Sequence, residues 1–230
     1  MLFDVPFHVV GEPHVLSLIN SASEGRQLEF KLRLPTDSYE DVVEFLKDVT
    51  AMANTIGGDI LYGIAEGQDA GGNTLAGAVD GISGGDSDKV IQRLENIIRD
   101  NTDRRLIGHQ IKAIEIKSNG NQVFLVRVPR SWDAPHAVTH RKHWRFYYRN
   151  SAGCHAMDVT ELRHAVSLAN SLLQRLQEFR MERVAKIASD ISGKNGKVVL
   201  HIQSFSSTDP GVKIPFARSR SLPLDFISEE

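Results

Sequence analysis

Ala51-Met52-Ala53-Asn54-Thr55-Ile56-Gly57-Gly58-Asp59-Ile60-Leu61-Tyr62-Gly63-Ile64 is the stretch on which the fold turns. Its first residues end a helical pattern, with apolar side chains recurring at Val42, Phe45, Leu46, Val49, Met52 and Ala53. Asp37 or Ser38 can cap that helix, and Glu40 and Asp41 suit the positive end of its dipole. The Gly57-Gly58 pair stops the helix and turns the chain into a strand expected over Asp59 to Ile64.

Upstream, Leu28-Glu29-Phe30-Lys31-Leu32-Arg33-Leu34 alternates strictly, apolar on one side and charged on the other. That pattern predicts a half-buried strand ended by Pro35. A short helical piece is expected within Val15 to Asn20. Downstream, Gly67 to Gly85 is rich in Gly, Asp and Asn and reads as a long loop, with an extended piece near Leu75 to Val79. Asp86 or Ser87 caps a second helix whose inner face is Val90, Leu94, Ile97 and Ile98. Gln110 to Lys117 and Gln122 to Val128 form a hairpin about Ser118-Asn119-Gly120-Asn121, and Trp144 to Arg149 is a further strand. A long helical pattern runs from Asp158 to about Ile191, Gly193 to Gly196 breaks it, and Lys197 to Gln203 reads as a last strand.

Helices and strands do not alternate regularly, so the expected class is α+β: a mixed β-sheet with packed helices, followed by a long C-terminal helix. The expected domains are 1–157, an amphipathic helix over 158–192, and a partial second domain or extended tail over 193–230. About 35 residues are too few for an independent core. Either the chain is a piece of a longer protein, or the last strand completes another subunit's sheet. The helix, with charged outer residues, suits packing in cis or pairing with a second copy, so a homo-oligomer is expected.

The 230 residues carry a formal net charge of −2, so a chain-wide basic field is absent and any grip on nucleic acid must be local. The single cysteine, Cys154, excludes an internal disulfide and a cysteine-based zinc site. A reducing cytoplasm is the expected setting. The N-terminus lacks a signal-peptide pattern, and no apolar run is long enough to span a bilayer, so no membrane partner is expected.

The local basic signal is His136 to Arg149, where Arg141, Lys142, Arg145 and Arg149 are interleaved with Trp144, Phe146, Tyr147 and Tyr148. Cations engage phosphates, and aromatic faces stack on unpaired bases. Arg127 and Arg130 are expected to join this patch. The alternative is a hairpin tip with solvated charges. Alternation puts Trp144, Phe146 and Tyr148 on one face, taken as the core side, and Arg145, Tyr147 and Arg149 on the other, taken as the outer side. His136, His140 and His143 have no H-E-x-x-H or cysteine partner, which argues against zinc. Cys154 beside His155 suggests a thiol nucleophile, but a loop cysteine is the simpler reading. Asn54 to Gly58 invites a phosphate cradle. It has no P-loop signature, and a helix C-terminus disfavours phosphate, so a cap and turn is the favoured reading.

Three blocks carry a resemblance. Glu24-Gly25-Arg26-Gln27-Leu28-Glu29-Phe30-Lys31 resembles the E-x4-E-F-K opening of the Schlafen AlbA_2 family. The quoted run from Ala51 to Ile64 resembles its A-x-A-N-T-x-G-G block. Arg145 to Ser151 is similar to its closing Y-x-R-x-(G/S) strand, with Glu161 in the place of a late acidic residue. The resemblance covers about residues 12 to 168 and implies an α+β fold with a nucleic-acid-binding face. It also implies that some members are metal-dependent RNases that cleave structured RNA such as tRNA, while others are described as DNA- or ATP-binding regulators.

Carried over by position, the nuclease site would be Glu24, Glu29 and Glu66, the last being glutamate where the family usually has aspartate. These three would hold Mg²⁺ or Mn²⁺, with Lys31 assisting at the attacked phosphate. Without the resemblance, Glu29 and Lys31 read as solvent-facing strand charges and Glu24 as a loop charge. Asp59 is assigned to a turn and strand edge, and Asp69 to the loop. The expected function is a divalent-metal-dependent endoribonuclease, acting as a defence effector, with RNA preferred to DNA. The rivals are a non-catalytic DNA- or RNA-binding module and an oligomerising assembly domain.

Overall fold

A computed structural model describes residues 2–68, 74–150 and 153–190. The chain divides into two compact units, Met1–Ala169 and Asn170–Glu230, and all the described strands belong to the first. The fold is α+β.

The central element is helix α2 (Tyr39–Ala53). It starts at Ser38, whose side chain accepts a hydrogen bond from the Asp41 amide, satisfying one of the free donors of the first turn. Two of its faces are apolar. Phe45, Val49, Met52 and Ala53 pack with Ile60, Tyr62, Phe124 and Val126, and Val42, Leu46 and Ala51 pack with Val138 and Tyr147. The helix therefore lies between two sheets.

The first sheet has the order β1-β2-β7-β6, formed by β1 (Leu28–Lys31), β2 (Gly58–Tyr62), β7 (Asn121–Val128) and β6 (Gln110–Ile116). β1 is parallel to β2 and the other pairs are antiparallel, so the sheet is mixed. The second has the order β10-β9-β8-β5, from β10 (Gly153–Ala156), β9 (Arg145–Asn150), β8 (Ala137–Val138) and β5 (Thr102–Asp103). Helix α3 (Ser87–Asp100), capped by Asp86, adds Leu94 and Ile98 to the core around Phe45. The other face of the first sheet, with Phe30, Leu61 and Leu125, is covered by the N-terminal segment, including α1 (Glu12–Leu16).

The helix–turn–strand stretch behaves as its residues require. Gly57 has φ +77, and a Cβ there would stand 2.8 Å from the Val128 carbonyl oxygen. Asn54 is no phosphate ligand. Its amide donates to the carbonyls of His136 (3.0 Å) and Tyr147 (2.9 Å) and accepts from the His136 amide (2.7 Å), tying the end of α2 to the second sheet.

Three expectations need correction. The strand begun at Leu28 stops at Lys31, because its parallel partner β2 ends there: the Gly63 amide bonds the Lys31 carbonyl as the last rung. Leu32 is then exposed, and Leu34 turns back toward the Phe45 core. Second, Asp59 to Ile64 is not one strand. Gly63 (φ +97) bends the chain, and β3 (Ile64–Gln68) pairs with β4 (Thr74–Val79) in a hairpin where mostly loop was expected. Asp69, in the expected loop, lies outside the described residues. Third, the faces of β9 are the reverse of the assignment. Tyr147 and Arg149 are buried against α2, while Trp144 is 65% exposed on the opposite side.

Helix α4 (Val159–Asp190) opens with a reciprocal capping pair: Asp158 accepts from the Glu161 amide, and Glu161 from the Asp158 amide. Glu161 thus has a local role. The expected break at Gly193 to Gly196, the strand at Lys197 to Gln203 and the tail lie outside the described residues. Among the described residues, no helix is long and apolar enough to cross a membrane.

Candidate functional site

The charged side of β1 does not face solvent. α2 and β9 close over it, so Glu29 is 9% exposed, and a cleft of about 250 Å³ forms there. Glu24, Glu29, Glu44, Asp48, Arg149 and Cys154 are among its lining residues.

Three of its lining residues, Glu29, Asp48 and Arg149, form a charge cluster with the neighbouring Lys31. Glu29 Oε1 lies 2.8 Å from Lys31 Nζ, and Glu29 Oε2 accepts a close hydrogen bond from Arg149 Nη2. Asp48, from α2, stands 3.7 Å from Arg149 Nη1 and 3.8 Å from Lys31 Nζ. Burial works to raise the Glu29 carboxyl, but the hydrogen bond from Lys31 and the charge of Arg149 outweigh it and hold the group below its ordinary value. Burial opposes the Lys31 ammonium too, but Asp48 and Glu29 keep its pKa above the usual lysine value. Asp48 shows the opposite balance. Its desolvation, followed by the negative charge of Glu29, pushes it up to about 7. Its Oδ2 is buried without a hydrogen-bond partner.

Glu24 folds over the start of β1 and accepts a hydrogen bond from the Phe30 amide at 3.0 Å. Its pKa is raised, first by burial and then by the negative charges of Glu29 and Glu66. Glu66 is exposed on β3, at the irregularity in the hairpin register. Glu24 therefore senses both other expected carboxylates. Among the described residues, however, no three His, Cys, Asp or Glu side chains already form a set able to hold a metal. Both Glu29 oxygens are engaged by Lys31 and Arg149, so a bound ion would compete with these two cations.

The expected phosphate-gripping cations divide into two groups. Arg127 is buried. It makes a two-pronged pair with Asp59 (2.7 and 2.8 Å) and donates to the carbonyls of Leu2 and Val5, fastening the N-terminal segment to β7. Asp59 is thus no edge residue but fully buried. Arg149 faces the cleft and is 4% exposed. Arg141, Lys142 and Arg145 are exposed, and Arg130 stacks at 5.3 Å on Trp132. Between Asp133 and Asp158 there is no acidic residue.

The remaining candidates take structural places. His136 is fully buried, with its ring between the Arg104 carbonyl (2.8 Å) and the Ser131 hydroxyl (2.6 Å). His140 meets Asn101, and His143 meets the Tyr147 hydroxyl. The Cys154 thiol is pushed up to about 12 by burial and by Asp48, which keeps it protonated, and His155 turns to Glu161.

Asp48 is the residue that sequence reasoning missed. The available signal was its position: three residues after Phe45 and four before Met52, a charged side chain inside an apolar helical stripe.

A helix held between a mixed sheet and a smaller antiparallel one, with a buried ion cluster beside it, defines the class of domain. A family profile described as Schlafen, AlbA_2 matches residues 24–158. This chain belongs to the Schlafen AlbA_2 family, and that membership supports a nucleic-acid-related function. No curated protein matches the chain. It is similar to the solution structure of the N-terminal domain of an ATP-dependent DNA helicase RecG-related protein from Nitrosomonas europaea, at 21% identity and TM-score 0.45, covering 62% of this chain and 89% of that one. It is also similar to a crystal structure of a protein from Corynebacterium diphtheriae, at 20% identity and TM-score 0.38. That match covers 63% of this chain but only 26% of the other.

Proposed function

We propose that this chain is a nucleic-acid-binding protein that grips the phosphate backbone with Arg141, Lys142 and Arg145. The carrying observation is charge segregation. In a chain of net charge −2, the segment from Ala134 to Met157 has no acid, and these three cations on it are exposed. RNA is the polymer we expect to be preferred. The test is anisotropy titration of labelled RNA and DNA oligonucleotides with wild type and the combined variant R141A/K142A/R145A. The expected result is at least about a tenfold loss of affinity, since phosphate contacts dominate such binding. Unchanged affinity in the variant would sink the assignment.

A second reading is favoured by Glu24 and Glu29, which line one cleft. In it the protein is a divalent-metal-dependent endoribonuclease acting on structured RNA such as tRNA. Carboxylate oxygens are the donors Mg²⁺ and Mn²⁺ take, and such an ion supplies an activated water and charge stabilisation. This reading requires Glu29 to exchange Lys31 and Arg149 for the ion. Incubating the protein with total tRNA, with and without Mn²⁺, is expected to give cleavage that Glu29→Ala abolishes. Calorimetric Mn²⁺ titration of the same two proteins gives an independent readout. Metal-independent cleavage, or Mn²⁺ binding unaffected by the substitution, would remove the metal-dependent reading.

A further inference from the structure

We propose that the outward face of the second sheet, centred on Trp144 and Phe146, is a stacking platform for unpaired nucleobases, so the domain prefers single strands to duplexes. The inference rests on the nucleic-acid-binding reading and specifies its ligand.

The platform follows from the facing of β9. Burying Tyr147 and Arg149 against α2 leaves the alternate residues Trp144, Phe146 and Tyr148 on the other side. Trp144 and Phe146 have ring centroids 6.3 Å apart with planes at 44°, so their faces are not stacked flat on each other. Tyr148 sits farther along, edge-on to His155 and bordering a pocket shared with His164 and Leu168 of α4. The open part is therefore the Trp144 end.

That end is also the positive end. Arg141 and Lys142, just before Trp144, and Arg145, at the strand end on the side of Tyr147 and Arg149, all lie within three residues of Trp144 and are exposed. An exposed tryptophan among cations, in an acid-free segment, matches a polymer offering flat apolar faces joined by negative charges. In a duplex those faces are hidden in the base stack, whereas a single strand presents them. A base stacked on an aromatic side chain contributes about 1–3 kcal/mol, or roughly 5- to 150-fold in affinity. Arg149 and Cys154 face the cleft on the α2 side, so the platform and the carboxylates are separate places.

The full chain is titrated with a labelled 12-nucleotide RNA, alone and annealed to its complement, following anisotropy and tryptophan emission. The chain has two tryptophans, Trp132 and Trp144. Trp144→Ala is expected to lose at least about fivefold for the single strand and little for the duplex. Trp144→Phe should retain most of the affinity, and quenching of emission by the single strand should vanish in both variants. Thermal melting checks that both fold, as the exposure of Trp144 predicts. Equal affinity for the two forms, with Trp144→Ala binding like wild type, overturns the platform but leaves the binding reading intact. No binding of either form removes that reading and the platform together. Self-association, or capture of an acidic peptide, that depends on Trp144 in place of a strand preference also overturns the platform.

Discussion

Ionising Asp48 places a negative charge on a buried side chain beside Glu29, with Lys31 and Arg149 near it but neither within hydrogen-bond reach. Its pKa of about 7 in the folded protein stands above the unfolded value of 3.8. The stability tied to its protonation is complete below pH 3.8 and is lost as pH rises through about 7. Asp48→Asn cannot ionise. Between pH 5 and 8 wild type is expected to lose about 2–3 kcal/mol relative to this variant, measured by urea denaturation at each pH. A gap that stays constant across that range would contradict the burial argument. Glu29 acts with the opposite sign. Its lowered pKa makes its contribution present above 4.5 and lost as pH falls, outside the window of the experiment. Glu24 and Glu29 were legible as site candidates from the E-x4-E-F-K block. That Asp48 joins them was not, because its place in an apolar stripe marks it as buried but only tertiary packing brings it beside Glu29.

At the scale of elements, β1, β7 and β9 each carry an arginine or lysine expected to face solvent or a phosphate, and each strand turns it inward. Lys31 is half-buried, and Arg127 and Arg149 are buried. Alternation states which side chains share a face but not what lies against that face. On β7 the covering element is the N-terminal segment, held by the Arg127 bonds to Leu2 and Val5. Arg127→Ala leaves Asp59 buried and unpaired and is expected to cost about 3–5 kcal/mol. It should also make residues 2–10 the first site of limited proteolysis. Nucleic-acid affinity below the melting temperature should stay close to wild type, unlike that of Arg145→Ala. A large affinity loss with unchanged stability would mean that Arg127 reaches the ligand after all. Elements read from capping and periodicity were placed well: Ser38 and Asp86 cap their helices, and the turn at Ser118 to Asn121 joins β6 and β7. The short strands β5, β8 and β10 carry too few residues to show a period.

For the whole molecule, a net charge of −2 and an acid-free positive segment predict binding that is local and sensitive to salt. Each phosphate contact on a single strand adds about 0.7 to the slope of log affinity against log salt. The combined R141A/K142A/R145A variant should therefore lower that slope by up to about 2, measured over a range of KCl concentrations. An unchanged slope would place the phosphate contacts elsewhere. By itself the sequence determined the family, the α+β class, the helix caps and the main hairpin, because each of these is written in neighbouring residues. Only the tertiary structure decided which faces of β1, β7 and β9 are covered, which cations remain at the surface and that Asp48 meets Glu29. The reason is physical: burial and charge pairing depend on which distant element arrives against a face, and no local spacing encodes that.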